Sequence, residues 1–260
     1  MPYRVARISP WIYTSGMGLV GERKALAAAV LAFYLVIYLL VALTVPPDQG
    51  LTQFFAAMAG LYGLSFFALV AGYFWARWFA IGLGIYGLLG GVLAVWQIGP
   101  IPEILFLGGT HGLLSLTLWG EKVAAHYDGR SEWRARFHLD DSGTQRLGKA
   151  VVRVGISLPI LIGYGLMPRQ SLGETILCLG VLGLVTVGAW GFLRLRTWGL
   201  VALAASAITV LVTLSAVGQV VPFGDGTSID LTVNGATGGL ILFLATVPFL
   251  GPVARYLRGS

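Results

Sequence analysis

The sequence predicts an all-α fold, a polytopic membrane helix bundle of about eight transmembrane helices. Three observations predict it. First, 57% of the 260 residues are hydrophobic and only 11% are charged, against roughly 25% charged in a soluble domain, and the mean hydropathy is +0.82. Second, eight stretches approach the roughly 20 apolar residues needed to cross a hydrocarbon layer. Third, the basic residues collect in alternate connections between those stretches. Together these exclude a soluble enzyme, a disordered chain and a disulfide scaffold. The single cysteine, Cys178, has no intrachain partner for a disulfide and reads as a small packing residue within an apolar segment.

In chain order the spans are Ala25–Val45, Leu51–Phe74, Trp78–Ile98, Ile101–Trp119, Ala150–Met167, Leu172–Leu193, Thr197–Gly218 and Ala236–Ala254. The fifth is the shortest. The first has too long an apolar run for a cleaved signal peptide, and it exits through Val45-Pro46-Pro47 rather than a small-residue cleavage site, so it is expected to be retained. Before it, residues 1–24 form an interfacial N-terminus carrying Trp11 and Tyr13. Residues 25–119 form a first four-helix half, 120–149 a basic loop, 150–254 a second four-helix half, and 255–260 a tail.

Charge orients the chain. With the N-terminus inside, the cytoplasmic side holds 16 basic and 6 acidic residues, a net +10. The outer side holds Arg169 against Asp48, Glu103, Glu174, Asp225 and Asp230, a net −4, so the two sides account for the total of +6. The positive-inside rule then places both termini in the cytoplasm, and the expected location is the cell (inner) membrane. The same placement answers the pI of about 9.7: the basic excess marks one membrane side rather than a nucleic-acid surface. Arg77, Arg130, Arg134, Arg136, Arg194 and Arg196 are the inner-surface basic residues. Around Trp133 the long loop mixes aromatics with arginine, as expected beside anionic lipid or a docked cytoplasmic partner.

A short internal similarity links the halves. Gly72 to Ala80 aligns with Gly191 to Gly199, sharing Gly, an aromatic, an apolar residue, an Arg at the turn and a Trp opening the next span. Duplication of a four-helix unit explains it; so does the general need of a tight cytoplasmic hairpin for an arginine and an interfacial Trp.

Few residues could carry chemistry. His111 falls near the middle of the fourth span, where an ionisable group is expensive and often functional. Its neighbours Gly108, Gly109, Thr110 and Gly112 leave room for a close helix or a flat ligand. Three roles compete: a neutral imidazole bonded to a Thr, Tyr or backbone carbonyl on an adjacent helix, an axial ligand to a tetrapyrrole, and a wall of a solute or proton path. Glu103, eight positions earlier on roughly the same helix side, follows Pro102 and suits a helix first turn or the mouth of such a path. Ser171 to Glu174 fits a capping box. Gly84, Gly87 and Gly91 make a small-residue face for close helix packing, against this chain or another subunit. In the outer loop, Asp225-Gly226 and Asn234-Gly235 are turn signals, and Ile229 to Val233 alternates like a strand, so a small hairpin is expected there. Asp225 and Asp230 match no metal motif. No catalytic motif, no cofactor signature and no central Asp, Glu or Lys is present in the spans.

The sequence therefore points to a non-catalytic membrane subunit or scaffold, in contact with lipid and with other membrane subunits or itself. The alternatives are a channel or carrier for a neutral or weakly polar solute, with His111, Glu103 and Thr110 on the path, and a tetrapyrrole-binding electron-transfer subunit.

Overall fold

The structure, a computed structural model, describes residues 10–45, 51–128, 140–167, 169, 171–217, 220–222 and 228–257. Among them are nine helices and one short hairpin: α1 (Pro10–Thr44), α2 (Leu51–Ala71), α3 (Ala76–Ile98), α4 (Pro102–Leu118), α5 (Glu121–Asp128), α6 (Asp141–Leu166), α7 (Leu172–Leu193), α8 (Thr197–Val217), β1 (Val220–Pro222), β2 (Ser228–Asp230) and α9 (Leu231–Leu257). Six helices are long and apolar enough to cross a membrane: α1, α2, α3, α6, α7 and α9. Of the other expected spans, α4 has 17 residues, below the usual spanning length of roughly 20, and α8 contributes the shorter apolar stretch Thr197–Thr213.

The helices pack as two four-membered groups. In the first, α1 lies along both α2 and α4, and α3 lies along α4, while α2 and α3 barely meet. In the second, α6, α7, α8 and α9 each contact the next and α9 returns to α6, closing a ring. The groups join chiefly where α3 crosses α6. That crossing is close because both helices present glycine: a Cβ at Gly82 would lie 3.0 Å from the Gly155 Cα, and one at Gly155 would lie 2.8 Å from the Phe79 carbonyl oxygen. Small residues let helix backbones approach and gain dispersion contacts that lipid cannot offer.

The two aligned hairpins differ. The first turns on Gly72, at φ +73°, and the second on Leu195, at φ +57°. These positions do not correspond in the alignment, since Leu195 matches Ala76, the first residue of α3. In the second hairpin Gly188, Gly191 and Gly199 also bring α7 and α8 into backbone contact; a Cβ at Gly188 would lie 2.9 Å from the Leu203 nitrogen.

Element boundaries depart from expectation in three places. The sequence predicts a fifth span from Ala150, but α6 begins at Asp141, within the predicted loop. Asp140 is the cause: its carboxylate accepts the Gly143 N–H at 2.6 Å and the Ser142 hydroxyl at 2.9 Å, an N-cap that starts the helix in polar sequence. These bonds hold the Asp140 carboxyl below its ordinary range. The polar turns stay helical because Thr144, Leu147, Gly148 and Val151 are buried on one face. Earlier in the same stretch, α5 is anchored by Tyr127, whose hydroxyl donates to the Leu69 carbonyl at 3.1 Å. The hairpin between α8 and α9 pairs Val220–Pro222 with Ser228–Asp230 antiparallel, but α9 begins at Leu231, so the second half of the alternating Ile229 to Val233 stretch is helical. Finally, α1 begins at Pro10 and runs without a break through the first span. Arg130, Arg134 and Arg136 lie outside the described residues.

Charge separates between the two ends of the bundle. At one end cations sit on helix C-termini, where backbone carbonyls are unpaired and the dipole is negative. Arg23 donates to the carbonyls of Leu116, at 3.0 Å, and Trp119, and Arg77 donates to Leu118 at 3.3 Å. Lys24 donates to Val70 at 3.2 Å. In the α7–α8 turn at this end Arg194 and Arg196 are exposed, and the Arg194 guanidinium lies 4.2 Å from the Trp190 ring centroid. The opposite end carries Glu103 in the first turn of α4 and Glu174 in the first turn of α7, whose N–H is accepted by the Ser171 hydroxyl at 3.2 Å.

Candidate functional site

Each helix of the first group contributes to a cluster around His111. Helix α4 carries Leu107, Thr110 and His111 within a single turn. Helix α1 presents Tyr34 and Tyr38, one turn apart, on the stripe that also buries Ala27, Leu31 and Ala42. Helix α2 supplies the fully buried Tyr62. Helix α3 supplies no side chain at its closest point, only Gly87.

His111 is 1% exposed. Its Nδ1 lies 2.8 Å from the Leu107 carbonyl oxygen, and its Nε2 lies 2.5 Å from the Tyr62 hydroxyl. A carbonyl only accepts, so Nδ1 carries the proton and donates it. In the neutral ring Nε2 is then an acceptor, and the Tyr62 O–H donates to it. The Thr110 hydroxyl donates within its own helix, to Phe106 O at 2.7 Å or Leu107 O at 3.1 Å. The Tyr34 hydroxyl pairs with Thr110 Oγ1 at 2.5 Å and also lies 3.4 Å from the Leu107 carbonyl oxygen. The Tyr34 and His111 rings are 4.1 Å apart between centroids.

Glycine closes the remaining face. A Cβ at Gly87 would overlap the His111 ring, reaching within 2.5 Å of Nε2. One turn on either side, Gly84 lies against Ser115 and the His111 backbone, and a Cβ at Gly91 would lie 2.7 Å from the Gly108 Cα. The face Gly84-Gly87-Gly91 is thus turned onto α4 of this same chain, and α3–α4 is the most extensive helix pair of the bundle.

The structure brings together His111, Thr110 and the glycine face, and it leaves Glu103 out. Glu103 is exposed at the end of α4 while His111 is buried, because eight residues along a helix is about 12 Å of rise. Two further clefts are present. One, of about 600 Å³, lies between α3, α6 and the α4–α5 connection. The other, of about 310 Å³, is an apolar groove between α2, α3, α6 and α7. Neither is lined by His111. Cys178 is buried. No group of three or more potential metal ligands occurs among the described residues.

Tyr34 and Tyr62 are what sequence reading missed. A tyrosine counts as apolar in a span search, so its hydroxyl is invisible until another polar group at the same depth is found to need it. The available signal was depth: Tyr34, Tyr62 and His111 each sit well inside an apolar stretch, where tyrosine is less common than at the interface.

The chain is a multi-pass membrane protein by its apolar helices. No protein-family model, curated protein or solved structure matches it.

Proposed function

We propose that this chain is a non-catalytic membrane subunit or scaffold of eight spans, with both termini on the cytoplasmic side of the cell membrane and two four-helix units at 25–119 and 150–254. The observation that carries the reading is the saturation of His111. A path residue needs a cavity or a water file beside it, and an axial ligand needs a free Nε2 lone pair. His111 spends Nε2 on Tyr62 and Nδ1 on Leu107, with Gly87 against its ring. Its role is to fasten α4 to α2, as Thr110 fastens α4 to α1.

The helix-packing role of Gly84, Gly87 and Gly91 is then internal to the chain. Surfaces for lipid or other subunits lie elsewhere, on exposed apolar side chains such as Phe67, Leu105 and Val212. The inner-surface arginines Arg77, Arg194 and Arg196 hold the orientation.

Reconstitution separates this reading from its rivals. Proteoliposomes are expected to shrink and swell with small neutral solutes no faster than empty vesicles, and the purified protein is expected to lack a Soret-region band. Solute flux abolished by His111→Leu would establish the channel or carrier instead, and a Soret band lost in His111→Leu would establish the tetrapyrrole subunit.

A further inference from the structure

The 600 Å³ cleft at the basic end belongs neither to the His111 cluster nor to the scaffold role. Its walls are two helix stripes. From α3 come Arg77, Ile81 and Ile85, each one turn beyond the last, and from α6 come the neighbouring stripes ending in Lys149, Val152 and Arg153. Arg77 to Ile85 spans about 12 Å along the helix axis, so the cleft runs from a charged mouth to an apolar floor. Trp78 lies flat on Gly148, where a Cβ would come within 2.7 Å of the indole. Trp119, 62% exposed, stands at the rim.

The charges of the lining are unequal. Arg77 and Lys149 stand toward the mouth, and Arg153, one turn beyond Lys149, lines the wall at the level of Val152, against one carboxylate, Glu121. Arg153 is half-buried and its Nη1 donates to the Leu244 carbonyl of α9 at 2.7 Å, so Arg77 and Lys149 supply the charge at the mouth. A soluble anion would match the cations but not the isoleucine floor, and a neutral lipid tail would match the floor but not the cations. An amphiphile with an anionic head matches both. Position agrees: the cleft is at the end where tryptophans and cations gather, the headgroup level of a bilayer.

We propose that this cleft binds an anionic phospholipid, its phosphate between Arg77 and Lys149 at the mouth and the start of its acyl chains over Ile81, Ile85, Val152 and the stem of Arg153.

The test is native mass spectrometry of the full chain in mild detergent, titrated with phosphatidylglycerol, with phosphatidylcholine of the same acyl chains, and with inorganic phosphate. Phosphatidylglycerol is expected to bind about tenfold more tightly than phosphatidylcholine, and Lys149→Gln with Arg153→Gln to remove most of that preference, since each basic group near an anionic headgroup contributes comparably and Arg77 remains. Arg146→Gln, an exposed cation of α6 outside the cleft lining, should leave the preference unchanged. Lys149→Gln alone alters one exposed side chain, and it should weaken phosphatidylglycerol binding several-fold even if the double variant does not fold. Equal binding of the two lipids, an unchanged preference in Lys149→Gln, or inorganic phosphate displacing phosphatidylglycerol at similar concentration would each overturn the assignment.

Discussion

His111 is held by two hydrogen bonds, from the Tyr62 hydroxyl and to the Leu107 carbonyl. In a membrane interior, a polar side chain without partners costs several kcal/mol, and interhelical bonds there contribute about 1 kcal/mol each. Replacing His111 with Leu removes the acceptor of the Tyr62 hydroxyl and leaves Tyr38 as its hydrogen-bond neighbour, so destabilisation by about 1–2 kcal/mol is expected. Tyr62→Phe strands Nε2 and should cost a similar amount. The double variant removes both partners, and a cycle measured by detergent-titrated unfolding should return a coupling near 1 kcal/mol; additive costs would mean that the bond contributes nothing. A second prediction concerns Asp140, outside the apolar part of α6. Its folded carboxyl is held low by the Gly143 N–H and the Ser142 hydroxyl. The cap is therefore fully present above the unfolded value of about 3.9 and is lost as pH falls through the lower folded value. Amide exchange in the first turn of α6, corrected for the intrinsic rate, should quicken on acidification through that range in the native protein and show no such step in Asp140→Asn.

At the scale of helices, glycine decides which pairs come close, and neighbouring glycines make the contrast testable. Gly90 has nothing within 4 Å of a Cβ position, whereas Gly91 faces the Gly108 backbone. Gly90→Ala should be neutral or stabilise by up to about 1 kcal/mol, because alanine restricts the unfolded chain. Gly91→Ala must push two backbones apart and should cost about 1–3 kcal/mol. Equal effects in thermal unfolding would refute the α3–α4 contact. This pair also marks what sequence could and could not reveal. The spacing Gly84-Gly87-Gly91 reads directly as a packing face, but the same spacing serves a helix of this chain or of another, and only the fold assigns it to α4. The long apolar helices α1, α2, α3 and α7 were legible because length and hydropathy alone define them. The first turns of α6 were not, because Asp141 to Lys149 is polar and its helicity depends on the Asp140 cap and on Leu147 and Val151 packing inward. The His111 site was half legible: an imidazole at that depth announces itself, while its tyrosines do not.

For the molecule as a whole, orientation is the consequence with most at stake, since it decides which compartment each end meets. Arg23, Lys24 and Arg77 occupy helix C-termini at one end, and capping alone would serve either orientation. What selects one is the energetic and translocation bias that retains basic loops in the cytoplasm. Arg169 is the exception among the described cations, and its surroundings account for it. Its Nη2 donates to the Tyr164 carbonyl at 2.5 Å and its guanidinium lies 4.7 Å from the Tyr164 ring centroid, so the charge is bedded on an aromatic face instead of projecting as a retention signal. The prediction uses a Cys178→Ala background with single cysteines at two exposed positions, Glu103 and Gln145, which lie at opposite ends of the bundle. A membrane-impermeant maleimide should label Glu103→Cys in right-side-out vesicles and Gln145→Cys only in inside-out ones. The reverse pattern would invert the assignment and move the basic cleft to the outer leaflet. Labelling of both sites from both sides would mean that chains insert in two orientations, which a net +10 against −4 makes unfavourable.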